Sequence, residues 1–158
     1  MSHISTIKVG IFDLDAFQLA CSQKGVELRR NQKTFKNYGG RQDACEMAVV
    51  DATNPQAYEL GLVRARYNEQ KKLVADKDGT CWMIQMDNYS GGKGMNQKVG
   101  KNAGLLLQRY GINAARNAAV REGMTLSEMQ LEDGSIRLIC EPKQEFAKAS
   151  AGGYGTGW

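Results

Sequence analysis

The sequence predicts an α+β fold: a single domain, mainly antiparallel sheet, with one short and one long helix packed on one face. Three observations predict it. Short alternating apolar runs are joined by turn residues, which favours antiparallel pairing over parallel crossovers. Two stretches carry a helical period, one brief and one extended. Hydrophobic residues make up 42% and charged residues 24% of the 158, a balance that buries a core without staples and excludes wholesale disorder. Residues 1–148 are expected to form the domain and 149–158, Gly-rich and low in complexity, a flexible tail.

Ile7, Val9 and Ile11 alternate with Thr6, Lys8 and Gly10, the pattern of a half-buried strand. Asp13 then caps a helix to about Lys24, with Leu14, Phe17, Ala20 and Cys21 on one face and Gly25 as its stop. Val26, Glu27 and Leu28 return to extended structure. The polar, basic stretch 29–43 reads as a long hairpin arm or loop, and 45–50 as a short apolar strand before the Asn54-Pro55 turn. Strands are expected at 59–67, 72–75 and 81–86, the last preceded by the turn Asp76-Lys77-Asp78-Gly79. A Gly-rich loop, Ser90-Gly91-Gly92-Lys93-Gly94, opens the long helix, expected from about 96 to 122. A hairpin of 125–131 with 136–140 closes around Asp133-Gly134, and Pro142 stops it.

The net charge of +4 and pI of about 8.9 suit an anionic partner without specifying one. Cys21, Cys45, Cys81 and Cys140 lack metal-ligand spacing, and three lie in apolar or strand-like runs, so buried, reduced thiols are expected. With His3 the only histidine, no metal or cofactor is expected. The start lacks a basic and apolar leader, and no window approaches the roughly 20 apolar residues of a membrane span. A cytoplasmic protein with no membrane partner is the expectation.

Several segments, taken in order, carry a family resemblance. They are Met1-Ser2-His3-Ile4-Ser5-Thr6-Ile7-Lys8, Gly39-Gly40-Arg41-Gln42, Glu59-Leu60-Gly61-Leu62, Leu73-Val74-Ala75-Asp76, Leu107-Gln108-Arg109-Tyr110 and Glu132-Asp133-Gly134-Ser135-Ile136-Arg137-Leu138. The chain thereby resembles, to about Cys140, the plastid and cyanobacterial family called hypothetical chloroplast reading frame thirty-five, a domain of unknown function. The loop 88–98 is richer in Gly and Lys than in plastid members, and the chain runs on into its Gly-rich tail, as expected of a bacterial or phage-borne relative. The resemblance implies an α+β fold and a cytoplasmic or stromal setting; it brings no activity and no catalytic residue.

Three features compete as binding sites, each against a plainer role. The run 29–41 holds Arg29, Arg30, Lys33, Lys36 and Arg41 with the aromatic Phe35 and Tyr38, charge to follow a phosphate backbone and rings to stack on bases. Its plainer role is a solvated arm. On the long helix, Val99, Ala103, Leu107, Tyr110, Ala114 and Ala118 make a small-residue core stripe. Lys98, Asn102, Arg109, Asn113 and Arg116 share the opposite, basic face. Gly91, Gly92, Lys93 and Gly94, with Lys98 or Lys101 in support, form a loop able to cradle phosphate, although the spacing of a Walker loop is absent. Its plainer role is a flexible connection.

No catalytic constellation emerges. His3 and Ser2 stand at the terminus without a positioned partner, and Asp13, Asp43, Glu46, Asp51, Asp76 and Asp87 sit where local hydrogen bonding is their ordinary use. The leading expectation is a non-enzymatic binding or accessory protein engaging nucleic acid or an acidic protein through Arg29, Arg30, Lys33, Lys36, Tyr38, Arg41, Arg109 and Arg116. The alternatives are phosphate or nucleotide handling at the Gly-rich loop, with or without catalysis, and assembly through the tail bearing Tyr154 and Trp158.

Overall fold

The structure, a computed structural model, describes residues 4–143. The expected tail, its boundary at 148, and Ser2 and His3 lie outside the described residues. By its internal packing the chain divides into two compact units, Met1–Tyr110 and a second beginning at Gly111.

The first unit is built on an antiparallel sheet in the order β1 (Ile4–Ile11), β8 (Cys81–Asp87), β6 (Leu60–Tyr67), β5 (Met47–Val50) and β2 (Glu27–Arg29). β7 (Leu73–Ala75) pairs with the far end of β6. The order β1–α1–β2 expected from the sequence is present, but β1 and β2 stand at opposite edges of the sheet. β6 is the hub: Leu60–Leu62 pair with β5, Ala65–Tyr67 with β7, and Gly61–Ala65 with β8 on the other side. The register puts Leu28, Val49, Leu60, Leu62, Ile84 and Met86 on one face, all buried. α1 (Leu14–Gln23) starts where Asp13 Oδ1 accepts the Ala16 N–H at 3.0 Å, and it buries Ala16, Phe17, Ala20 and Cys21. The Tyr110 hydroxyl accepts the N–H groups of both Phe12 (2.9 Å) and Asp13 (3.2 Å), fixing the turn into that helix.

On the sheet's other face lies the segment read from sequence as an arm. β3 (Thr34–Lys36) pairs with β4 (Gln42–Ala44) in a small hairpin, but the hairpin is not a detached arm. Phe35 is fully buried and packs with Ala48 and Val50. Its ring occupies the space a side chain at Gly61 would need: a Cβ there would overlap Phe35 Cδ1. Burying one such ring stabilises the docked hairpin by about 2–3 kcal/mol. Glu59 completes the attachment, its Oε1 accepting from Lys36 N (2.8 Å) and Gln32 Nε2 (2.9 Å) while Glu59 N donates to Lys36 O (2.8 Å).

The long helix expected from 96 to 122 is interrupted. α2 (Met95–Val99) is one short turn, a 3-10 turn follows at Lys101–Ala103, and α3 (Gly104–Arg121) begins only then. Gly100 causes the break, with φ 84° and ψ 160°, a backbone that L side chains avoid; a Cβ there would lie 2.8 Å from Leu105 N. The core stripe changes accordingly. Val99, Ala103, Leu106, Tyr110, Ile112 and Ala119 are buried, whereas Leu107 and Ala114 are half-buried and Ala118 is exposed.

In the second unit, β9 (Met124–Gln130) pairs with β10 (Ile136–Pro142) along the full hairpin, so Pro142 lies within the ladder rather than beyond it. Arg116 on α3 reaches Glu128 Oε2 at 2.9 Å.

A candidate nucleic-acid interface

The sequence offers the basic hairpin and the Gly-rich loop as separate, rival sites. The structure brings parts of both to one cleft. Lys36, Gly39 and Gly40 from the hairpin, Asn54 to Gln56 and Tyr58 from the β5–β6 connection, and Lys93 from the Gly-rich loop line a cleft of about 590 Å³.

Beside the cleft, Asp87, at the end of β8 and buried, links the hairpin turn to the start of the Gly-rich loop. One carboxylate oxygen accepts Tyr38 N–H at 3.2 Å and the other accepts Tyr89 N–H at 2.8 Å. The rings of Tyr38 and Tyr89 meet edge to face, centroids 4.8 Å apart at 86°, and both are exposed. Lys93 Nζ lies 5.8 Å from the centre of the Tyr89 ring. Tyr58 is buried beneath them; burial first, then the Asp87 carboxylate and the Tyr38 and Tyr89 phenols, push its pKa up, so its hydroxyl stays protonated.

The glycines of the loop serve its conformation. Ser90, Gly91, Gly92 and Lys93 all have left-handed backbones, φ between 52° and 65°, and Gly94 follows at 109°. A left-handed turn costs an ordinary residue roughly 1–2 kcal/mol and glycine almost nothing, which accounts for three glycines in the run. The loop is braced rather than loose: Tyr58 N donates to Gly92 O at 2.9 Å and Asn54 Nδ2 to Lys93 O at 3.2 Å. Asn88 adds a second brace, its Oδ1 accepting from Asn96 Nδ2 (3.0 Å) and Asn102 N (3.1 Å). The helix behind the loop, α2, has five residues, too few for a developed dipole, so the expected helix-terminus cradle for phosphate is not what this loop presents.

The other expected basic residues disperse. Arg29 pairs with Glu27 (3.2 Å), Arg30 reaches Asp15 (3.3 Å) and Gln18 (2.7 Å) on α1, and Lys33 donates to Glu46 O (3.0 Å). Lys36 donates to Pro55 O at 2.6 Å across the cleft, and Arg41 pairs with Asp43 at 3.0 Å beside it. Lys98 serves structure instead of phosphate. Its ammonium donates to Asp51 Oδ1 (2.9 Å), Thr53 Oγ1 (3.0 Å) and Gly25 O (3.2 Å), which uses all three donors. Burial alone would raise the Asp51 carboxyl, but hydrogen bonds from Thr53 and Lys98 outweigh it and hold the pKa below its usual value. The basic helix face also divides: Arg109 is half-buried in the first unit, Asn113 is buried, and Arg116 pairs with Glu128.

The residues that sequence reading missed are Tyr58, Gln56, Tyr89 and the linking role of Asp87. Tyr89 directly precedes the Gly-rich loop, and an aromatic beside a flexible turn was the available signal. Nothing local marks Tyr58.

Among the described residues, no group of three or more His, Cys, Asp or Glu side chains is placed to hold a metal ion. No helix among them is long and apolar enough to cross a membrane. Cys21 and Cys81 are buried, Cys45 is half-buried, and Cys140 is exposed on β10, contrary to the expectation of buried thiols, because the β9–β10 ribbon leaves most of its residues open to solvent. No family model, no curated protein and no solved structure matches the chain.

Proposed function

We infer that this chain is a non-enzymatic binding protein whose ligand is single-stranded nucleic acid, held at the cleft between the β3–β4 hairpin and the Gly-rich loop. The observation that carries the reading is an exposed Tyr38–Tyr89 pair beside a cleft lined by Lys36 and Lys93, with Tyr38 between the lining residues Asn37 and Gly39 and Lys93 over the Tyr89 ring. Aromatic faces accept any base, and lysines meet the phosphates that run beside them; stacking is worth about 1–3 kcal/mol per base. An open cleft between two turns admits an extended strand more readily than a duplex, whose bases are already stacked. An acidic protein partner would use the lysines but leave the tyrosine pair without a role.

The resemblance to the chloroplast reading-frame family remains a proposal carried by the ordered segments, and a cytoplasmic or stromal setting goes with it. The tail that the assembly reading needs lies outside the described residues.

The test is anisotropy of a labelled oligothymidylate titrated with protein at several salt concentrations. Wild type is expected to bind, with affinity falling as salt rises. The double variant Lys36→Gln, Lys93→Gln is expected to bind more weakly, its slope of log affinity against log salt flatter by about 0.7 for each phosphate no longer neutralised. No binding by wild type at low salt, or an unchanged slope in the variant, would sink the reading.

A further inference from the structure

At the opposite end of β6, one strand length or about 25 Å from the cleft, a second opening of about 320 Å³ lies beside the β6–β7 turn. Lys8, Tyr67, Lys71, Lys72, Leu73 and Val74 line it, three lysines and no acid. Leu73 is buried and forms an apolar floor.

The turn is rigidly held. Asn68 N donates to Lys72 O (2.9 Å), Lys71 N to Asn68 O (2.9 Å), and Asn68 Oδ1 accepts from Gln70 N (2.9 Å) and Lys72 N (3.0 Å). Lys71 sits in a left-handed backbone, φ 62°, which this network enforces. Among the described residues the ammonium groups of Lys71 and Lys72 have no ion pair, although Glu69 belongs to the same turn. Lys8 Nζ donates once, to Leu73 O at 3.3 Å, and has two donors left.

Tyr67 adds a neutral donor. Its hydroxyl oxygen accepts the Gly10 N–H at 3.1 Å, and its ring stacks on Phe12 with centroids 6.2 Å apart and planes 9° apart. With that oxygen already accepting, the hydroxyl proton is left to donate. Every polar side-chain group lining the opening is therefore a donor, and three of the four carry positive charge.

We propose that this pocket is an anion site for a group bearing two or more adjacent phosphates. Clustered like charges repel one another, and a multiply charged oxyanion relieves that repulsion while accepting from several donors together. A single monovalent anion matches neither the charge nor the number of donors. Adjacent phosphates come from two sources, a compact oligophosphate or the backbone of a strand, and both meet the same donors.

The experiment is isothermal titration of the full chain with inorganic triphosphate at constant ionic strength, with labelled oligothymidylate as the second titrant. Lys71→Gln with Lys72→Gln removes both ammonium groups, and Tyr67→Phe independently removes the hydroxyl. Triphosphate binding by wild type, weakened about tenfold or more in the double variant and also weakened in Tyr67→Phe, establishes a compact oligophosphate site. Oligothymidylate binding that alone falls in these variants assigns the same pocket to a strand's backbone. Absence of both responses overturns the proposal. So does triphosphate binding that survives the double variant but disappears in Lys36→Gln, Lys93→Gln, because the anion would then sit in the other cleft. The two sites share no residue, so either can fail alone.

Discussion

Tyr38 and Tyr89, fifty-one positions apart in sequence, hang their backbone N–H groups on the two oxygens of one buried carboxylate, Asp87. That shared acceptor is what brings the hairpin turn and the Gly-rich loop to a common cleft. Asp87→Ala leaves two N–H groups without their acceptor at a site where water has limited access, and should cost about 1–3 kcal/mol. Chemical denaturation checks the stability, and anisotropy should show weaker oligothymidylate binding even though Asp87 is not itself a basic or stacking group. Wild-type affinity in a destabilised Asp87→Ala protein would show that the tyrosines do not act as a pair.

Phe35 and Gly61 give a second prediction. Gly61→Ala places a methyl inside the Phe35 ring and should destabilise the fold by about 1–3 kcal/mol through overpacking. Phe35→Leu in the Gly61→Ala background should cost less than the sum of the two single changes, because the smaller side chain makes room for the methyl. Additive costs in a double-mutant cycle would mean that the two positions are not in contact.

Lys98 and Asp51 predict a pH dependence with a definite sign. The Asp51 pKa is held below its unfolded value of 3.8, so its contribution to stability is present above that pH and is lost as pH falls through the lower, folded value. Lys98→Met should destabilise the protein near neutral pH by about 1–3 kcal/mol, less than for a fully buried pair because the Lys98 side chain is partly exposed. The variant should also lose less stability than wild type between neutral pH and pH 3, which acid titration monitored by circular dichroism would measure.

The cysteines predict a graded reactivity. Burial pushes the Cys21 thiol up to about 12; burial, followed by the charge of Glu59, pushes Cys45 up to about 11. At pH 8 both remain thiols, and buried Cys81 is raised in the same direction. Exposed Cys140 should therefore be modified first by a thiol reagent, with the other three following only on unfolding. Above pH 9.0 the unfolded thiols ionise while folded Cys21 and Cys45 hold their protons, so stability should fall as pH rises from about 9 towards 12. Four thiols modified rapidly in the native state would contradict this packing.

What could be read from sequence followed the range of the forces involved. The Asp13 cap, the Gly25 stop and the Asp133-Gly134 hairpin are local chemistry, and they stand where the residues put them. The helix break at Gly100 is also local in cause, but a glycine inside a good apolar period is tolerated often enough that the period alone predicts a continuous helix. The docking of the hairpin was not local. A single phenylalanine in a basic run reads as an exposed arm until Gly61, on a strand 26 positions away, is seen to leave space for it. The cleft requires three segments to meet, and its lysines and the tyrosine pair beside it carry no spacing that reports on one another. Lys98 shows the same effect in reverse: on a helical wheel it is a basic-face residue, and only the fold reveals Asp51 beneath it.

The central claim is that a single strand of nucleic acid lies against Tyr38 and Tyr89. Photocrosslinking of the wild-type protein to a halogenated oligonucleotide, followed by mass spectrometry of the digested adduct, tests it most directly. Adducts are expected on peptides containing Tyr38 or Tyr89, suppressed by competing unlabelled oligothymidylate and reduced in Lys36→Gln, Lys93→Gln. Adducts confined to peptides that contain neither tyrosine, or no competable adduct at all, would contradict it.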